Sequence, residues 1–138
     1  MNTCSRLITF ACTLLCSLTV AADRYAPTSV DMEVKQVSEH VYYVKGAAGI
    51  ATDNEGFISN AGFVVTGDGV VVFDALGTPS LADKLASKIR EITDQPIRKV
   101  IVSHYHADHI YGLQVFEAMG AQIIAPEGAQ KYIQSDAA

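Results

Sequence analysis

Val100-Ile101-Val102-Ser103-His104-Tyr105-His106-Ala107-Asp108-His109 is the stretch on which the reading of this chain turns. Lys99 to Ser103 is a short apolar run rich in β-branched residues, the signature of a buried strand. Three histidines and an aspartate follow it without a gap, so they fall in the loop at a strand's C-terminal end, where open α/β sheets place their sites. In an extended loop residues i and i+2 point the same way, whereas on a helix they would lie about 200° apart. His104 and His106 therefore share one point, and Tyr105 between them points away. Asp108 and His109 come as the chain turns into the next helix and aim at a neighbouring point. Two adjacent metal sites follow from that spacing. Imidazole nitrogens and a carboxylate suit Zn²⁺ best, with Fe and Mn as the other metals such donors take.

Three imidazoles and a carboxylate in one loop have no packing purpose, and uncompensated they would repel on protonation. His40, alone in a hairpin turn, reads as an ordinary surface histidine. A Ser-His-Asp hydrolase built on Ser103 lacks the G-x-S-x-G elbow, and an adjacent Ser-His pair is expected to point its side chains apart. Asp74 ends a hydrophobic strand near the loop and is read as a hydrogen-bonding partner rather than a ligand.

Outward from the loop, Val34 to Val37 and Val41 to Val44 flank Ser38-Glu39-His40 as a hairpin, and Gly46 to Gly56 is a glycine-rich loop. Ile58 to Thr66 and Val70 to Asp74 are two strands joined by Gly67-Asp68-Gly69. Thr78-Pro79 opens a helix, with the threonine as cap and proline at the first helical position. Leu81, Ala82, Leu85, Ala86, Ile89 and Ile92 form its apolar face. A second helix is expected over His109 to Met119, with Tyr111 and Phe116 on its apolar side and Gly120 as its stop. Ala121 to Ala125 is a short strand, and Pro126 starts a third helix. Strands first, then strand and helix in alternation, define an α/β or α+β domain with a mixed sheet flanked by helices.

The chain has 138 residues, 49% of them apolar, and a net charge of −5, which sets the expectation of one domain and no nucleic-acid partner. Arg6, the apolar stretch Leu7 to Val20 and the small residues Ala21-Ala22 read as a signal peptide, residues 1–22, cleaved before Asp23. Leu7 to Val20 is too short for the roughly 20 residues of a spanning helix, so no stable membrane insertion is expected after cleavage. Cys4, Cys12 and Cys16 all lie in this leader, so disulfides and zinc-thiolate ligands are excluded from the remainder. Residues 23–33 are a flexible lead-in segment and residues 34–138 the domain, expected in the periplasm or outside the cell.

The order of these features resembles the metallo-β-lactamase superfamily. Its H-x-H-x-D-H motif stands here as His104, His106, Asp108 and His109, preceded by Asn60-Ala61-Gly62-Phe63-Val64-Val65, a Gly-Asp-Gly turn, Val70 to Asp74 and a helix. With no cysteine available, the chain looks closest to the branch with oxygen and nitrogen ligands alone, including periplasmic hydrolases associated with quinoprotein systems. The resemblance implies an αββα sandwich with a zinc pair at the edge of its sheets. It implies that His104 and His106 bind the first ion, and Asp108 and His109 the second. It also implies a metal-bound hydroxide that attacks an ester, thioester, amide or β-lactam-like bond of a small-molecule substrate, with Asp108 orienting the nucleophile and handling its proton. The family draws a third histidine, a bridging aspartate and a last histidine from further along the chain. No histidine follows His109, and Asp136 is too near the end to bridge. The expectation is therefore the N-terminal half of the sandwich, inactive by itself. The alternative expectation is a metal-binding half-domain that turns nothing over and self-associates through an uncovered sheet face.

Overall fold

The computed structural model describes residues 24–129, so the expected signal peptide and most of the expected third helix lie outside the described residues. Six strands form one sheet in the order of the chain: β1 (Val34–Ser38), β2 (Val41–Val44), β3 (Ala61–Thr66), β4 (Gly69–Phe73), β5 (Ile97–Ile101) and β6 (Gln122–Ile124). The first four pair antiparallel as a meander, and β4, β5 and β6 run parallel, so the sheet is mixed. The switch follows from the connections. Short turns join β1 to β2 and β3 to β4 and the loop 45–60 joins β2 to β3, whereas α1 (Pro79–Ile92) carries the chain from β4 to β5, and α2 (Ala107–Ile110) with α3 (Leu113–Ala118) carries it to β6.

Alternation along the strands separates the two sheet faces. Tyr42, Phe63, Val72, Val100 and Ile123 align across neighbouring strands, and this row meets the core that Leu81, Leu85 and Ile89 of α1 and Phe116 of α3 complete. The rings of Tyr42 and Phe63 stack at 4.9 Å. Helix α1 begins as its sequence specifies, because the Thr78 hydroxyl accepts the Leu81 N–H at 3.2 Å and Pro79 needs no donor of its own. Ile92, placed on the buried face by periodicity, is instead 40% exposed in the last turn.

The second helix departs further from expectation. It starts at Ala107 rather than His109, and it breaks into α2 and α3 at Tyr111-Gly112. The cause is a tertiary contact. The Gly112 N–H bonds the Leu76 carbonyl at 3.1 Å, and Ala75 N–H bonds the His109 carbonyl at 2.8 Å, so the β4–α1 connection takes groups a continuous helix would use. A Cβ on Gly112 would lie 1.9 Å from the Ala75 carbonyl oxygen, so only glycine fits there. As a result Tyr111 is 57% exposed, and of the two expected core aromatics only Phe116 is buried.

Strand β5 begins two residues earlier than its apolar run predicts and leaves Lys99 exposed, while β3 begins only at Ala61 because Ser59 and Asn60 bond elsewhere. Residues 24–33 contain no helix or strand. Met32 is nonetheless buried in the core, and Lys84 donates to the Val30 carbonyl.

Candidate metal centre

Two loops meet at the C-terminal ends of β4 and β5, and all four motif residues come from the second. The first, Asp74 to Gly77, runs under the second, and Asp74 and Leu76 adopt left-handed backbone with φ of 64° and 65°. For residues with a Cβ such a conformation is costly, and the surrounding contacts hold it. It turns the Asp74 carboxylate toward the motif. That carboxylate is 8% exposed and is fully engaged. Its Oδ1 accepts the Ser103 N–H at 2.8 Å, and its Oδ2 accepts the Ser103 hydroxyl at 2.8 Å and His109 Nδ1 at 2.9 Å.

The proton positions follow from this set. A carboxylate only accepts, so the single proton of the Ser103 hydroxyl goes to Asp74. Ser103 Oγ also stands 2.9 Å from His104 Nδ1, so that nitrogen must donate to it. His109 Nδ1 donates to Asp74 directly. One carboxylate thus fixes both His104 and His109 as the Nδ1–H form, which leaves both Nε2 lone pairs free for a ligand. Ser103 and His104 do meet, contrary to the expectation that neighbouring side chains diverge. Because Ser103 gives its proton to Asp74, the contact orients His104 and does not create a nucleophile.

The remaining geometry gathers the motif into one cluster. The rings of His104 and His106 lie 4.6 Å apart edge to face, as two side chains on the same side of an extended loop should. The His104 and His109 rings are closer still, at 4.1 Å, because Asp74 anchors both. His109 Nε2 faces Asp108 Oδ2 across 3.4 Å. A charge-assisted hydrogen bond would close to about 2.7–2.9 Å. The gap matches the edge of roughly 3.4 Å between two donors on a tetrahedral ion with bonds near 2.0–2.1 Å. Among the described residues no three His, Asp or Glu side chains converge on one point. The donor set fits divalent metal, as two ligands at a point rather than a complete site.

Three residues that sequence reasoning did not single out hold the loop. Ser59, 5% exposed, donates its hydroxyl to the Asp108 carbonyl. Gly77 lets the first loop close on Asp108, since a Cβ there would lie 3.3 Å from Asp108 Cα and 2.9 Å from the Gly56 carbonyl. Gly112 breaks the helix. Their glycines and serine are too common for sequence alone to mark them. Cavities open on either side of the cluster. One of about 490 Å³ passes His104, Tyr105, Ile110, Leu113 and Ile123, and another of about 410 Å³ passes Asp108, Tyr111, Thr52 and Thr78.

A mixed sheet with helices on one face, and an H-x-H-x-D-H loop oriented by a buried carboxylate at its C-terminal edge, define the class of α/β domains built around a divalent metal centre. Residues 54–120, which include Asp74 and the whole loop, match the family model of the Metallo-beta-lactamase superfamily. The match covers just under half of the chain, and the superfamily it points to binds divalent metal as a general property. A metallo-beta-lactamase from Pontibacter korlensis superposes with a TM-score of 0.65 at 19% identity, over 78% of this chain and 50% of that one. A linear primary-alkylsulfatase from Pseudomonas sp. (strain ATCC 19151) is 31% identical over 49 residues, which are 36% of this chain and 9% of that protein. The chain therefore spans at most about half the length of these relatives.

Proposed function

We propose that this chain supplies the first half of the site of an exported, zinc-dependent hydrolase acting on an ester, thioester, amide or β-lactam-like bond of a small molecule. The observation that carries the reading is the Asp74 fork, which holds His104 and His109 through their Nδ1 atoms, with His109 Nε2 facing Asp108. His104, His106, Asp108 and His109 would hold the metal. When bound, zinc supplies Lewis acidity that polarises the electrophile and lowers the pKa of water. The chain's own residues do the rest. Asp74 holds two imidazoles correctly turned, one directly and one through Ser103. The Asp108 carboxylate orients the attacking water and accepts its proton. Ile110, Leu113 and Ile123 give the cavity beside His104 an apolar wall against which a substrate's non-reacting group packs. The name of the alkylsulfatase adds a sulfate ester to the substrates worth assaying.

The test is zinc uptake by chelator competition, followed by assays with a thioester, a carboxylic ester, a β-lactam and an alkyl sulfate. Binding of one or two zinc ions, with turnover of one substrate class once the site is complete, supports the reading. No zinc uptake refutes it. A second reading rests on the sheet face opposite the helices, which is largely apolar and which no other described residue covers. On it the chain is a metal-binding half-domain, inactive by itself, that another polypeptide segment completes.

A further inference from the structure

We propose that Ser59 is a positioning residue for Asp108, coupling the glycine-rich loop to the metal-binding loop. The inference rests on the metal-site reading above. In helix α2 the Asp108 carbonyl should accept the N–H of Gly112, four residues on. That N–H is diverted to the Leu76 carbonyl at 3.1 Å, which orphans the Asp108 oxygen. The Ser59 hydroxyl, from a residue 49 positions earlier, takes the vacant place. No neighbouring donor of α2 serves, because Tyr111 N–H is bonded to Ala107 and His109 N–H to His106.

The hydroxyl is itself fixed. Ser59 is 5% exposed, and its backbone packs against Gly46, where an added Cβ would lie 2.4 Å from the Ser59 carbonyl. From another side Gly77 closes on Asp108 Cα. The Asp108 peptide is therefore gripped between the end of the loop 46–59 and the turn after β4. A gripped peptide fixes the direction in which the Cα–Cβ bond leaves, and with it the place of the carboxylate beside His109 Nε2. Without the hydroxyl, a four-residue helical turn with an unsatisfied carbonyl is free to rotate, and the carboxylate rotates with it.

The experiment compares wild type, Ser59→Ala, Ser59→Thr and Ser59→Cys in the full chain. Zinc affinity is measured by chelator competition, the ligand-field bands with Co²⁺, and melting of the metal-free protein by circular dichroism. Ser59→Ala and Ser59→Cys are expected to weaken zinc binding by about 10-fold or more, in the range known for groups that orient metal ligands, and to shift the Co²⁺ bands. Ser59→Thr, which keeps the hydroxyl, is expected to restore both. Ser59→Cys fills the same space with a weak donor, so it carries the comparison if Ser59→Ala does not fold. Wild-type affinity and Co²⁺ bands in Ser59→Cys overturn the inference, as does a Ser59→Thr protein that folds yet binds no better than Ser59→Cys. A wild-type chain that takes up no metal refutes the metal-site reading, and this role with it.

Discussion

Asp74 carries more of the site than any ligand does. Three donors converge on its two oxygens in a nearly buried setting, and two of them lead to the imidazoles of His104 and His109, the proposed ligands. Asp74→Asn keeps the shape but places an NH₂ group where Oδ2 or Oδ1 now accepts. Either orientation sets donor against donor. Asp74→Asn is expected to cost about 1–3 kcal/mol of stability from the broken hydrogen bonds, read by chemical denaturation. Zinc affinity should fall by roughly 10–100-fold, and unchanged affinity would remove Asp74 from the metal site. Glu55 gives a second test at this scale. Hydrogen bonds from the Ser29 and Thr28 hydroxyls, against an opposing effect of desolvation and helped by the Ser29 N–H and the Lys84 charge, hold its carboxyl below the ordinary glutamate value. A depressed folded value means the stabilisation is present above the ordinary glutamate range and lost as pH falls through the lowered value. Amide exchange at Ser29 and Val30 should quicken in acid below that range, and Glu55→Gln should remove most of the pH dependence there. Asp74 was legible as a partner from its place at a strand end. Its route to His104 was not, because that route needs the left-handed turn at Asp74, which no local pattern encodes.

At the scale of elements, local chemistry and tertiary contact decide different things. Thr78-Pro79 specifies the start of α1 by itself, and Gly67-Asp68-Gly69 specifies the β3–β4 turn, so both are readable in the sequence and present in the fold. The break between α2 and α3 is not readable. His109 to Met119 has helical periodicity throughout, and it is the backbone of Ala75 and Leu76, more than thirty residues earlier, that interrupts it. The interruption matters because it places Asp108 and His109 on a separate short turn, facing His104 rather than following α3. Gly112→Ala tests this account. Its Cβ would overlap the Ala75 carbonyl and crowd Ala82, so the two loops must part. A loss of about 1–3 kcal/mol or more is expected from overpacking. Zinc affinity should drop with it, although Gly112 is no ligand. If calorimetry finds Gly112→Ala as stable as wild type, a continuous helix over this stretch is tolerated and the break is not what shapes the site.

At the scale of the molecule, the sheet has one covered face and, among the described residues, one open face, and their compositions differ less than their surroundings. Tyr43, Gly62, Phe73, Ile101 and Ile124 align across five neighbouring strands on the open side. Val41, Val64 and Val71 form a second row beside them, which Lys99 and Gln122 continue as exposed polar positions. Phe73 is 42% and Ile124 38% exposed. A sheet that meets water on one face ordinarily alternates apolar with polar residues, and over β2, β3 and β4 this one does not. Contiguous apolar surface of that kind drives association. The 138-residue chain is therefore expected to self-associate with rising concentration in light scattering. Phe73→Lys and Ile124→Lys should each shift that equilibrium toward monomer by placing a charge in the row. Val37→Lys, a more exposed apolar position in the bulged strand β1 and outside the aligned rows, should leave it unchanged. Chelator separates this cause from its rival. With two ligands at each metal point, a second chain could complete the coordination, and oligomers held that way dissolve when metal is removed. Oligomers held by the open face persist in chelator and respond to Phe73→Lys. Loss of association in chelator, with no effect of either lysine, would place the contact at the metal loop and leave the open face without a role in it.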